Sequence, residues 1–131
     1  MIKIKQEILE QVKQIAIAGL PNEACGYLAG RDHEITRCYH LTNVDQSPEH
    51  FSFDPKEQFE ALKDAHLKGL EIFANFHSHP ETPARPSQED IRLAYDPLIL
   101  YGIISLAESV EDLKFFRIEN GKVSTVCFDI I

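Results

Sequence analysis

The stretch "ANFHSHPETPARPSQED", residues 74–90, decides how this chain folds and where its chemistry lies. His77 and His79 flank one serine, and on an extended segment alternate side chains share a face. Both imidazoles can therefore point to one spot at the end of a strand formed by "LEIFANFHSH", 70–79. Neutral imidazole is a favoured zinc ligand, and two on one face make half of a tetrahedral site. A bare H-x-H also occurs in ordinary loops, so the pair needs a third partner. Asp90 is the candidate, in the first turn of a short helix over 87–96 that Ser87 opens. "SQED" equally fits a capping box, in which Asp90 reaches back to the helix start. Either capping and metal binding compete for Asp90, or Ser87 caps while the carboxylate turns to the histidines. The intervening "PETPARP" holds three prolines and no glycine. Such a stiff loop loses little entropy on ordering and can hold a helix start against a strand end.

Outward from that stretch, hydrophobic period and turn residues predict alternating helices and strands. "QEILEQVKQIAIAG" puts Ile8, Leu9, Val12, Ile15 and Ala16 on one helical stripe, stopped by Gly19 and Pro21. "EACGYLAGR", "EITRCYHLTNV" and "HFSFD" read as strands. "DPKEQFEALKDAHLKG" reads as a helix capped by Asp54, with Pro55 at its first position and Gly69 after its end. Phe59, Leu62, Ala65 and Leu67 are expected on or beside its apolar face. "LILYGIISLA", "DLKFFRIEN" and "KVSTVCFDI" are three more strands, the last two joined by the hairpin dipeptide Asn120-Gly121. The order predicts a mixed sheet packed with helices. No repeat, low-complexity tract or linker interrupts it, so one domain over 1–131 is expected.

Composition narrows the function. With 131 residues, 44% of them hydrophobic, the chain can bury one core without a disulfide or structural metal. A metal here is thus expected to be functional. A net charge of -8 and a pI near 5.1 argue against nucleic acid and anionic membrane as partners. Cys25, Cys38 and Cys127 are odd in number and widely spaced, which is no disulfide framework and points to a reducing cytoplasm. The N-terminal segment is too polar for a signal peptide, and the longest apolar run, 98–107, is about half a membrane span.

A catalytic zinc takes three protein ligands, keeps one position open, and needs a base for its water. Glu23, at the mouth of the apolar strand in "LPNEACGYLAG", is a candidate. Spacing alone does not separate it from a solvated carboxylate.

Taken together, these residues resemble the JAMM (MPN+) metalloprotease family. His77-Ser78-His79-Pro80, six further residues, Ser87 and then Asp90 match its H-[ST]-H-P-x(6)-S-x-x-D signature. Glu23 within "PNEACGYLAG" resembles its upstream glutamate segment, and the wording is most similar to the small stand-alone bacterial and archaeal members. The resemblance implies an α/β (α+β) fold, a mixed β-sheet curled between helices and similar to cytidine deaminases. It implies one catalytic zinc ion on His77, His79 and Asp90, Glu23 as general base and Ser87 as oxyanion donor. It also implies a substrate: the tail of a ubiquitin-like β-grasp protein of sulfur-carrier type, cut after its Gly-Gly. Asn75 departs from the pattern, since many relatives carry a small residue there. The chain has no room for the insertions with which larger relatives grip two ubiquitins.

Two other readings compete. A non-catalytic MPN-type module would bind such tails without cutting them, but here every ligand position is filled. A RadC-like protein shares a similar motif, and the acidic balance argues against it. Cys25 has no base placed for it and reads as a small buried strand residue. Cys38 and Cys127 read as strand residues too. His33, His40, His50 and His66 lack ligand spacing, Glu81 and Arg85 read as solvated loop charges, and "ESVED", 108–112, reads as a solvated turn.

Overall fold

A computed structural model describes residues 1–107 and 112–131. The expected "ESVED" turn falls almost wholly outside the described residues. Eight strands form one mixed sheet in the order β7-β6-β5-β4-β2-β3-β1-β8. They are β1 (Ile2–Ile4), β2 (Cys25–Arg31), β3 (Glu34–Leu41), β4 (Glu71–His79), β5 (Leu100–Ser105), β6 (Asp112–Glu119), β7 (Lys122–Val126) and β8 (Phe128–Ile130). The helices are α1 (Gln6–Ala18), α2 (Pro55–Leu67) and α3 (Gln88–Arg92). β4 and β5 run parallel, as does β1 with both β3 and β8, and the remaining pairs are antiparallel.

Side-chain alternation divides the sheet into two faces. On one, Ile8, Leu9, Val12 and Ala16 of α1 pack into the largest apolar cluster, with Leu28, Phe76, Ile104 and Phe115 beneath them. The predicted stripe is thus the buried one, and Ile15 packs partly buried at its side. Each fully buried aliphatic residue stabilises by roughly 1.5–3 kcal/mol. The neighbouring odd or even positions turn the other way. Tyr27 and Leu41 pack against Ala61 of α2, while Ile103, Phe116 and Ile118 pack near Ile91 of α3. β2 carries a register irregularity toward each neighbour, between Ala29 and Gly30 on the β3 side and between Leu28 and Ala29 on the β4 side. Bulges bend and twist a strand, so the sheet curls about its middle. A β-carbon at Gly30 would collide with the Glu34 carbonyl, which is why glycine stands at the bend.

Several local expectations are corrected. "HFSFD" forms no strand, only the bridge Asn43–Phe53, because His50, Phe51, Ser52 and Phe53 line the cavity beside His77 instead of pairing along a sheet edge. The α2 face is Ala61 and Ala65, while Phe59, Leu62 and Leu67 are 66%, 40% and 74% exposed. Small residues let the helix lie close to the sheet, and the bulky ones are turned outward. The helix begun by Ser87 ends at Arg92, short of the predicted 96. "KVSTVCFDI" divides at Cys127, which lies outside both strands and is exposed. The chain's first residues add β1, which lacked enough length to register as a strand. The hairpin Asn120-Gly121 is present with φ of 52° and 76° at its two turn residues. That positive-φ pair is the turn whose twist matches the strands. Among the described residues no helix is long and apolar enough to cross a membrane.

Candidate metal centre

β4 delivers the two histidines. His77 pairs with Cys25 on β2 and with Ile103 on β5, so it stands in the interior of the sheet. His79 lies two residues on, on the same face, opposite Ser105. The imidazole Nε2 atoms are 3.1 Å apart. Asp90 Oδ2 lies 3.1 Å from His77 Nε2 and 3.2 Å from His79 Nε2. Among the described residues these three form the cluster able to hold an ion.

The loop and helix explain how Asp90 arrives. Ser105 Oγ donates to Thr82 O at 2.7 Å, and His79 Nδ1 meets Pro83 O at 2.9 Å, so the proline loop is pinned to the strand ends. Ser87 then caps α3, its Oγ accepting from Asp90 N at 3.0 Å. The Ser87 N–H donates in return to Asp90 Oδ2 at 2.9 Å. The capping box and the ligand cluster therefore use the same carboxylate oxygen. The capping reading of Asp90 is realised, and the cap turns the same carboxylate toward the two histidines. Ser87 Oγ accepts one bond and keeps its own proton to donate.

The donors suit zinc. Two ligand atoms at about 2.0–2.1 Å from a tetrahedral zinc stand about 3.3 Å apart, close to the spacing here. The Pro83 carbonyl fixes the proton of His79 on Nδ1, leaving the Nε2 lone pair toward Asp90. His77 Nδ1 is buried without a partner, and its ring stacks on Phe51 with centroids 4.6 Å apart.

Electrostatics mark the same spot. Burial lowers the His77 imidazole despite the neighbouring Asp90 carboxylate. Burial opposes the charged form of His79 too, but Asp90, the Pro83 carbonyl and Glu23 together raise it. Burial would raise Asp90, yet hydrogen bonds with His77 and His79, the His77 charge and the Ser87 N–H hold it well below the carboxylate range. Glu23 is 5% exposed and its Oε1 has no partner. Loss of solvent pushes its carboxyl up to about 8, against the pull of His79 and with the push of Asp90, Glu89 and Glu49. It stands near enough for both His79 and Asp90 to act on it. Its segment is laced to β4 by Ser78, whose Oγ accepts from Ala24 N at 2.8 Å and whose N–H donates to Ala24 O at 2.9 Å.

The structure thus brings His77, His79 and Asp90 to one point, with Glu23 within electrostatic reach of His79 and Asp90 and the exposed Ser87 bonded to Asp90. Cys25 faces it from the opposite strand, but burial first, then Glu23, Glu57 and Asp45, push its thiol up to about 12. That keeps it protonated at neutral pH and agrees with its reading as a small buried strand residue. Residues to which the sequence assigned no role at the site, His50 among them as a histidine without ligand spacing, also line it. Phe51 is one, and His50 is another, held by Asp45 Oδ2 at 3.0 Å and facing the adjoining cavity. Both lie in the loop after β3, which Asn43 organises by donating to the Glu23 and His50 carbonyls. "HFSFD" is a signal only in retrospect, since no short-range pattern tells a site-covering loop from a strand.

Comparison with known proteins agrees with this geometry. The family described as prokaryotic homologs of the JAB domain matches residues 5–119. The chain belongs to that family. It is a small prokaryotic JAMM/MPN protein, as the motif implied. A desampylase of Pyrococcus furiosus is 32% identical over 123 residues, 94% of this chain and 86% of that protein. A CysO-cysteine peptidase of Mycobacterium tuberculosis is 31% identical over 130 residues, 95% of this chain and 87% of that protein. The solution structure of a protein from Desulfitobacterium hafniense has a TM-score of 0.92 and 47% identity, covering 100% of this chain and 93% of that one.

Proposed function

We propose that the chain, as one domain over 1–131, is a zinc metallopeptidase that cuts after the C-terminal Gly-Gly of a ubiquitin-like β-grasp protein of sulfur-carrier type. The carrying observation is the convergence of three ligand atoms within 3.2 Å beside a buried, unpartnered carboxylate. His77, His79 and Asp90 hold one zinc ion, which when bound polarises a carbonyl and makes water nucleophilic at neutral pH. Glu23 takes the proton from the attacking water and later hands it to the leaving amine nitrogen. A carboxylate with a raised pKa is suited to both steps. Ser87 donates its hydroxyl proton to the oxyanion that develops on the carbonyl oxygen. The C–N bond breaks, and a carboxylate and an amine leave.

The substrate class rests on two supports. The relatives are named for a CysO-cysteine substrate and for desampylation, which are cleavages by peptidases of this size. The site itself is recessed, with His77, His79 and Glu23 only 2%, 4% and 5% exposed. Backbone without side chains reaches such a point most easily, which favours glycine before the cut. A cytoplasmic setting is in keeping with three unpaired cysteines.

The test measures zinc in the wild type and in His79→Ala, then offers a β-grasp protein carrying one residue beyond Gly-Gly. About one zinc per chain, lost in the variant, and cleavage after Gly-Gly that Glu23→Ala abolishes are expected. A folded wild type that binds no zinc when supplied with it overturns the reading. Tail binding that survives chelation and Glu23→Ala, without cleavage, would instead make it a binding module.

A further inference from the structure

Beside the metal cluster lies a cavity of about 460 Å³. Tyr27, Phe51, Tyr101 and Ile103 are among its walls, and so is Asn75. Asn75 stands opposite Tyr27 on β2 and opposite Tyr101 on β5, so three adjacent strands present one cross-sheet row. It precedes His77 by two residues on the same face. The two side chains therefore stand roughly 7 Å apart along the strand, the length of two extended residues.

Within that row both tyrosine hydroxyl oxygens already have partners. The Tyr27 hydroxyl accepts from Gln58 Nε2 at 2.7 Å. The Tyr101 hydroxyl donates to Asp96 O at 3.1 Å and accepts from Asp96 N at 3.2 Å. Asn75 differs, because its Oδ1 is enclosed and has no hydrogen-bond partner. Buried polar atoms are nearly always paired, and an unpaired one is costly. Apolar side chains would fill this wall at no such cost. Turning the carboxamide about its last torsion exchanges Oδ1 and Nδ2, so the group can offer either an acceptor or a donor to the cavity.

We propose that Asn75 is a specificity-determining residue, whose carboxamide hydrogen-bonds a peptide group of the substrate about two residues from the scissile bond. The spacing sets that distance: with the reacting carbonyl at His77 and His79, an extended chain running along β4 brings its next-but-one peptide unit over Asn75. The ligand is thus a peptide with intact backbone on the cavity side, not a single amino acid. The inference rests on the peptidase reading above and adds to it how the enzyme holds the chain.

The test uses the zinc-loaded full chain and synthetic peptides spanning a Gly-Gly cut, with each amide in turn replaced by an ester. The ester removes one N–H and weakens one carbonyl acceptor. At one position, about two residues from the cut, it should raise KM about tenfold in the wild type and less than twofold in Asn75→Ala. Equilibrium binding of the uncut peptides to Glu23→Gln, with and without Asn75→Ala, should show the same coupling. Asn75→Thr, which suits a strand, repeats the comparison should the alanine variant fold poorly. Cleavage by the wild type with ester penalties unchanged by Asn75→Ala overturns the Asn75 assignment and leaves the peptidase standing. Asn75-dependent binding without any cleavage does the reverse. Peptide that neither binds nor is cut overturns both.

Discussion

At the residue scale the most informative side chain is Glu23, because its position conflicts with its charge. Loss of solvent holds its carboxyl at about 8, where an unperturbed one titrates near 4.5. In metal-free protein a raised folded-state pKa means stability that is complete below 4.5 and lost as pH rises toward 8. Each pH unit in that window is worth about 1.4 kcal/mol. Urea unfolding of metal-free wild type and Glu23→Gln from pH 5 to 8 should therefore diverge, the variant gaining by as much as about 4 kcal/mol. Parallel curves would mean that the carboxylate reaches water. The histidines and Asp90 were legible because they lie within fourteen residues of one another, where strand period and a helix cap fix geometry. Glu23 was legible only through family resemblance. Its link to the site runs through Ser78 and Ala24, 54 residues apart, and no local pattern records such a contact. Phe51 was missed for the same reason, since 26 residues separate it from the His77 ring on which it stacks.

At the element scale, caps and strand ends position the chemistry. Ser87→Ala removes the acceptor for the Asp90 N–H and, with it, the hydroxyl proposed to donate to the oxyanion. Losing a cap costs about 1 kcal/mol, and losing an oxyanion donor lowers kcat by about 10²–10³. Because the cap aims Asp90, zinc affinity should also fall, by about tenfold. Competition against a chromogenic chelator checks this, and unchanged affinity would separate the cap from the ligand. Ser78→Ala tests the opposite end of the site. It leaves the buried Ala24 N–H unpaired, a loss of about 1–3 kcal/mol, and frees the segment that carries Glu23. Activity should drop while zinc content stays at the wild-type value, as measured by metal analysis of the same preparations. Elements with their own punctuation were read correctly, such as α2 with Asp54 and Gly69, or the Asn120-Gly121 hairpin. "HFSFD" and the face of α2 were misread, because burial there is decided by what the curled sheet leaves open.

At the scale of the whole molecule, the site opposes the stability of the metal-free fold, and the sign of that opposition can be measured. Between pH 6.5 and 8 two groups act. The His79 imidazole is raised by Asp90, the Pro83 carbonyl and Glu23 over the effect of burial, so its stabilisation is lost as pH climbs through its folded pKa. The raised carboxyl of Glu23 acts in the same direction. His77, lowered by burial, changes stability only below 6.5, where falling pH must charge it in the unfolded chain first. Asp90, held low, is ionised in both states throughout the window. Metal-free protein should therefore lose stability from pH 6.5 to 8. Zinc reverses each cause: its ligands must be unprotonated, so binding strengthens as protons leave, and its charge favours an ionised Glu23. Binding to the folded state alone adds about 2.7 kcal/mol at a hundredfold excess over Kd. The rise in Tm on adding zinc should accordingly be larger at pH 8 than at pH 6.5, and absent in His79→Ala. Calorimetry at the two pH values with equal free zinc decides it. An equal rise at both would mean that the ligands are not titrating with the fold, and that the cluster of His77, His79 and Asp90 is not where the ion binds.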